Sequence, residues 1–108
     1  MHKNYSLYGV HGDEIEPIVK RLEKLFGIKM EERDSIVWGD YFLSTNGQPN
    51  QFSVYWNEEP EDGGPQEPEF EEYEFLLSIY ESTNMPEYDR ILSEDPIISA
   101  TFLERNVY

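Results

Sequence analysis

Apolar residues recur along this chain with two different periods, one that suits helices and one that suits strands. From Asp13 onward, Ile15, Ile18, Val19, Leu22, Leu25 and Phe26 fall at spacings of three and four and make a single stripe. That pattern predicts an amphipathic helix. Asp13 followed by Glu16 resembles a capping box, and Pro17 fits the first turn. Gly27 can end the helix in a left-handed conformation. Elsewhere the period is two. Residues 5–10 can form a short strand, and residues 35–44 read as another, with an interruption at Gly39-Asp40. Turn formers fill residues 45–50, and residues 51–57 follow with Phe52, Val54 and Trp56 on one face, so the two segments predict a hairpin. Met30 to Ser35 reads as a charged connection rather than an element.

Residues 74–81 fit two patterns. Phe75, Leu77 and Ile79 alternate as in a strand, whereas Phe70, Tyr73, Leu77 and Tyr80 match helical spacing. A strand is assigned, because Ser82-Thr83-Asn84 ends the run abruptly and the next helix has its own start signal. Thr83 or Asn84 can cap that helix, with Pro86 in its first turn, Tyr88, Ile91 and Leu92 facing inward, and Pro96 as its stop. Residues 97–107 read as a last strand. The expected fold is α+β: a single antiparallel or mixed sheet of four to five strands with two helices packed on one face. With 108 residues, a single domain over 1–108 is expected.

Charge changes this picture more than composition does. The chain has 23 acidic and 8 basic side chains, a formal net charge of −15. Residues 1–57 carry −2 and residues 75–108 carry −4, while residues 58–74 hold nine acidic side chains and no basic one. Three prolines and Gly63-Gly64 exclude regular structure through Pro68, so residues 58–69 are expected to form a long acidic loop. Such a field repels nucleic acid and anionic membrane and draws cationic partners. Large rings flank the loop. Tyr55 and Trp56 precede it, and Phe70 and Tyr73 follow it. Glu58, Glu59, Glu61, Asp62, Glu67, Glu69, Glu71 and Glu72 with these four rings form a candidate partner-binding surface, carboxylates on the rim and rings at the centre. A solvated loop that only keeps the protein soluble is the competing reading.

Candidate chemistry for catalysis is sparse. The histidines are His2 and His11, and there is no cysteine, so thiolate nucleophiles, disulfides and thiolate metal sites are excluded. No serine lies in a nucleophile-elbow pattern, and no Gly-rich phosphate loop with its lysine occurs. Glu58 to Gly64 departs from the ligand register of an EF-hand. The expectation is a non-enzymatic protein without metal or cofactor. No apolar run approaches the ~20 residues of a membrane span. A cytoplasmic location is expected.

The hairpin from Trp38-Gly39-Asp40-Tyr41-Phe42-Leu43 to Phe52-Ser53-Val54-Tyr55-Trp56-Asn57, the acidic stretch, Phe70-Glu71-Glu72-Tyr73-Glu74-Phe75-Leu76-Leu77, the helix starting near Met85-Pro86-Glu87, and Thr101-Phe102-Leu103-Glu104-Arg105 occur together in this order. In that style, over roughly residues 36–108, the chain resembles bacterial immunity proteins of polymorphic toxin systems, including those of contact-dependent growth inhibition. The resemblance implies a cytoplasmic protein that neutralises a cognate toxin, often a nuclease, by occluding its active site. A nuclease offers phosphate a positive groove, and carboxylates can occupy that groove. Two other readings stay open: a nucleic-acid-mimicking inhibitor of a DNA-processing enzyme, and a small metabolite-binding regulatory domain.

Overall fold

The computed structural model describes residues 4–35, 39–44, 51–58, 64–80 and 85–107. Strand β1 (Asn4–Val10) leads into helix α1 (Glu16–Phe26). The strands β2 (Met30–Ser35), β3 (Gly39–Ser44), β4 (Gln51–Trp56) and β5 (Phe75–Tyr80) come next, and helix α2 (Met85–Glu94) and β6 (Thr101–Val107) complete the order. In space the sheet runs β2-β3-β4-β5-β1-β6, with every neighbouring pair antiparallel. The class is α+β as expected, but the sheet has six strands among the described residues rather than four to five.

Strand β2 accounts for the difference. Its sequence, Met-Glu-Glu-Arg-Asp-Ser, has little strand propensity, and only Met30 joins the main core. It forms because it pairs along its whole length with β3, from Met30 opposite Ser44 to Ser35 opposite Gly39. An edge strand needs to be buried on one side only, and charged residues there discourage further pairing.

Both helices lie on the same face of the sheet. Ile18, Val19 and Leu22 of α1 and Leu92 of α2 pack with Tyr8, Val10, Phe52, Val54, Phe75, Leu77 and Ile79 into one buried cluster. Each large apolar side chain so buried contributes about 1.5–3 kcal/mol. Alternation in β4 therefore reads as expected, with Phe52, Val54 and Trp56 toward the helices. Helix α1 ends at Gly27, whose φ of 63° is the left-handed conformation that glycine adopts without strain. Its start differs from expectation. Ile15 is the N-cap, without a side-chain cap, and Asp13 lies two residues too early to reach the free amides of the first turn. The proposed caps of α2, Thr83 and Asn84, lie outside the described residues, as do Ile36 to Trp38, the 45–50 turn and His2.

The last strand starts later than the sequence suggests, because Asp95 builds a turn first. Its buried carboxylate accepts the amides of Ile97 (3.1 Å) and Ile98 (2.9 Å), and Arg21 of α1 donates to it from 2.8 Å. Burial alone would raise the Asp95 pKa. The Arg21 hydrogen bond, the two amides and the Arg21 charge outweigh it and hold the carboxyl below its ordinary range. Residues 96–98 thus form a turn, and strand begins only after Ala100, with Ser99 at a φ of 44°.

Strand β6 pairs with β1 through a register shift: Tyr8 faces Phe102, but Leu7 faces Glu104. This bulge reverses the facing of the residues beyond it. Arg105 is thereby turned toward the helices, where it donates to Asp89 of α2 (2.7 Å) and to Ser6 (2.8 Å) and lies 4.6 Å above the Phe102 ring. Tyr8 donates its hydroxyl to the same Asp89. The cluster pins α2 to the sheet. No helix among the described residues is long and apolar enough to cross a membrane.

Candidate functional site

Strand β4 ends at Trp56 and β5 begins at Phe75, so the connection between them holds most of the acidic stretch. Its second half is built rather than loose. Asn57, one residue past β4 and only 8% exposed, organises it. The Asn57 amide nitrogen donates to the carbonyls of Phe70 (2.9 Å) and Tyr73 (3.2 Å), and its oxygen accepts the Glu67 N–H (2.9 Å). Its own backbone N–H donates to the Glu74 carbonyl at 2.9 Å, extending the β4–β5 pairing by one step. Between these anchors the chain turns twice, with Phe70 N–H bonded to Glu67 and Tyr73 N–H to Phe70. The prolines do not oppose this shape. Pro68 starts a short 3-10 turn, where its missing donor costs nothing.

The rings of the segment then attach it to the sheet face turned away from the helices. Phe70 packs on Leu7, Tyr55 and Leu76, which form a second, smaller buried cluster. Tyr73 lies over Gly9: a Cβ there would sit 2.5 Å from the ring, so the packing requires glycine. The other side of Tyr73 stacks on His11, with centroids 4.7 Å apart. Glu74 closes the arrangement by accepting the Gly12 N–H (3.0 Å) and pairing with His11 Nδ1 (3.2 Å). The Gly12 amide is the main reason that the Glu74 carboxyl lies below its usual range, with a smaller contribution from His11.

These contacts leave an open cleft of about 650 Å³ between the end of β4 and residues 71–74. Trp56 and Tyr73 line it together with Glu58, Glu71, Glu72 and Glu74, the last already held by Gly12 and His11. Among the described residues no basic side chain lines it. A second cavity of about 640 Å³ at the β2–β3 edge is lined by Glu32, Asp34, Asp40 and Tyr41, but also by Arg33. The Arg33 guanidinium lies 3.3 Å from Glu31, so charge there is partly offset. Among the described residues no group of three or more His, Asp or Glu side chains is placed to hold a metal ion. The His11 hydrogen bond goes to Glu74.

The structure brings together Trp56, Glu58, Glu71, Glu72 and Tyr73 of the sequence candidates. It separates others from them. Tyr55 is 3% exposed, points to the opposite face from Trp56 and hydrogen-bonds to Tyr5, so its ring supports the segment and is not free for contact. Phe70 is half-buried against the same cluster. Glu69 is exposed beside the 3-10 turn. Glu67 is half-buried, and burial, Glu104 and Glu69 all raise its pKa. Glu59, Glu61 and Asp62 lie outside the described residues. Sequence reasoning missed Asn57, Gly9, His11 and Glu74. A polar residue directly after a buried strand end was a signal for Asn57. The others carried none, because their partners lie 62 or more residues away in sequence. No family model matches the chain, and no curated protein or solved structure matches it either.

Proposed function

We propose that this chain is an immunity protein that binds and neutralises a basic toxin domain by occlusion. The observation that carries this reading is the cleft beside Asn57, lined by exposed Glu58, Glu71 and Glu72 beside Trp56 and Tyr73, with no basic side chain among the described residues that line it. Carboxylates without an internal partner cost little while hydrated, and they attract lysine and arginine from another surface. The parts of Trp56 and Tyr73 that line the cleft add apolar contact once water is displaced. A toxin that acts on nucleic acid has a positive groove, and the spread of negative charge on this protein complements it. Steering by −15 charges would also speed capture.

Co-expression tests the proposal. The chain should protect cells from a toxin encoded beside its gene and co-purify with it, and the complex should weaken with salt. Loss of protection with Glu58→Gln, Glu71→Gln and Glu72→Gln together, at unchanged folding, would assign the contact to the cleft. Full protection by that variant would move the interface elsewhere. Absence of both protection and co-purification would end the reading.

A further inference from the structure

The wall of the cleft, residues 71–74, is fastened at its far end by His11 in the loop between β1 and α1. One Glu74 carboxylate oxygen meets both the Gly12 N–H (3.0 Å) and the His11 ring nitrogen Nδ1 (3.2 Å). The His11 ring stacks on Tyr73, which in turn rests on Gly9. The side chains of His11 and Glu74 are 62% and 46% exposed, so His11 can exchange a proton with solvent while it stays in contact. What faces His11 is acidic, aromatic or apolar. The wall presents Glu74 and the Tyr73 ring, and its own loop holds Asp13 and Glu14. Helix α1 and the 96–98 turn add Pro17 and Ile97 to the cavity that His11 helps to line. The charged pair joining those two elements, Arg21 with Asp95, is closed on itself. Among the described residues no lysine or arginine lines this cavity. Residues 59–63 contain no basic residue, and His2 and Lys3 are separated from His11 by the seven residues of β1.

The geometry points to a proton-operated latch on the cleft wall: with both ring nitrogens protonated, His11 clamps Tyr73 and Glu74 to the β1–α1 loop, and on losing a proton it lets the wall loosen. Imidazole is the side chain that ordinarily changes charge between about pH 5 and 8. When neutral, it donates to Glu74 only in the tautomer protonated at Nδ1. When charged, it always donates, adds an ion pair, and lies as a cation against the Tyr73 ring. The clamp is therefore complete on the acid side of the imidazole titration and is lost as pH rises through it. Glu74 stays ionised across that window, because the Gly12 amide first, and His11 after it, hold its carboxyl below the ordinary range. The wall carries Glu71 and Glu72, so the latch's value as a regulator of binding rests on the preceding reading, while the latch itself does not.

Amide–water exchange measured by NMR on the full chain, with no partner present and each rate referred to its intrinsic value at the same pH, tests the latch. From pH ~8 to ~5, protection at Gly12 and Tyr73 should rise by about threefold or more, following the His11 ring titration, while Leu7 and Leu77 stay constant. His11→Phe keeps a ring over Tyr73 but takes up no proton, so the rise should vanish. Glu74→Gln keeps an acceptor for Gly12 without the charge and should diminish it. Protection at Gly12 and Tyr73 that is flat across the His11 titration, or that rises equally in either variant, would overturn the proposal. Either of those results leaves the binding reading as it stands, and failure of the chain to bind a basic protein leaves the latch as it stands.

Discussion

Replacing Asn57 by alanine removes three hydrogen bonds that hold residues 67–73 in shape. Each is worth about 1 kcal/mol net, and the part-buried carbonyls and amide left behind gain no new protein partner, so the segment should lose about 3 kcal/mol. If the segment unfolds together with the sheet, the midpoint of thermal unfolding falls by roughly 12 °C or more. If it detaches alone, the loss shows as local opening: amide exchange at Glu67 and Tyr73 should accelerate by about a hundredfold while the β1–β5 amides stay protected. Asn57→Asp keeps an acceptor for Glu67 but loses both donors and faces two carbonyls with a negative charge, so it should behave no better. Hydrogen exchange read by NMR distinguishes these outcomes. Exchange at Glu67 and Tyr73 within about threefold of the parent protein would refute the view that Asn57 holds the segment in place.

Three further outcomes follow from the packing and charge. Gly9→Ala should displace the Tyr73 ring at a cost of about 1–3 kcal/mol, seen in urea unfolding and in altered His11 ring shifts; an unchanged Tyr73–His11 contact would contradict the close approach. Asp95→Asn should cost about 3 kcal/mol at neutral pH, since it leaves Arg21 and the 97–98 amides with a poorer partner. The folded-state pKa of Asp95 lies below the unfolded value of about 3.9, so this stabilisation is complete above that value and is lost as pH falls through the folded one. The gap between parent and variant in urea should therefore close in acid, and a constant gap would contradict the assignment. Glu67 has the opposite sign: its raised pKa means that the ionised form opposes folding at neutral pH, so Glu67→Gln should raise the unfolding midpoint and a fall would contradict this.

Legibility in the sequence followed the source of each element's stability. Helix α1 and strands β4 and β5 were readable because apolar residues at fixed periods generate them, and those residues are the ones buried. Strand β2 was not, since its stability comes from β3 and its residues are those of a solvated loop. Residues 97–100 looked like strand because Ile97, Ile98 and Ala100 are apolar and β-compatible. The Asp95 carboxylate overrides that preference by bonding two successive amides. The acidic connection was legible as negative charge beside rings, but its shape was hidden, because side chain–backbone bonds from Asn57 leave no periodic trace. Tyr55 shows the same limit: alternation put it opposite Phe52 and Val54, and only the folded segment explains why that opposite face is also buried.

The central claim is that the cleft between Trp56 and Tyr73 binds a basic protein surface through Glu58, Glu71 and Glu72. Isothermal titration of the co-purified basic partner into the parent chain and into the Glu58→Gln, Glu71→Gln, Glu72→Gln variant, each at low and high salt, tests it most directly. The account predicts tight binding by the parent that weakens with salt, and markedly weaker, less salt-dependent binding by an equally stable variant. Equal affinity and equal salt dependence for the two proteins would contradict it.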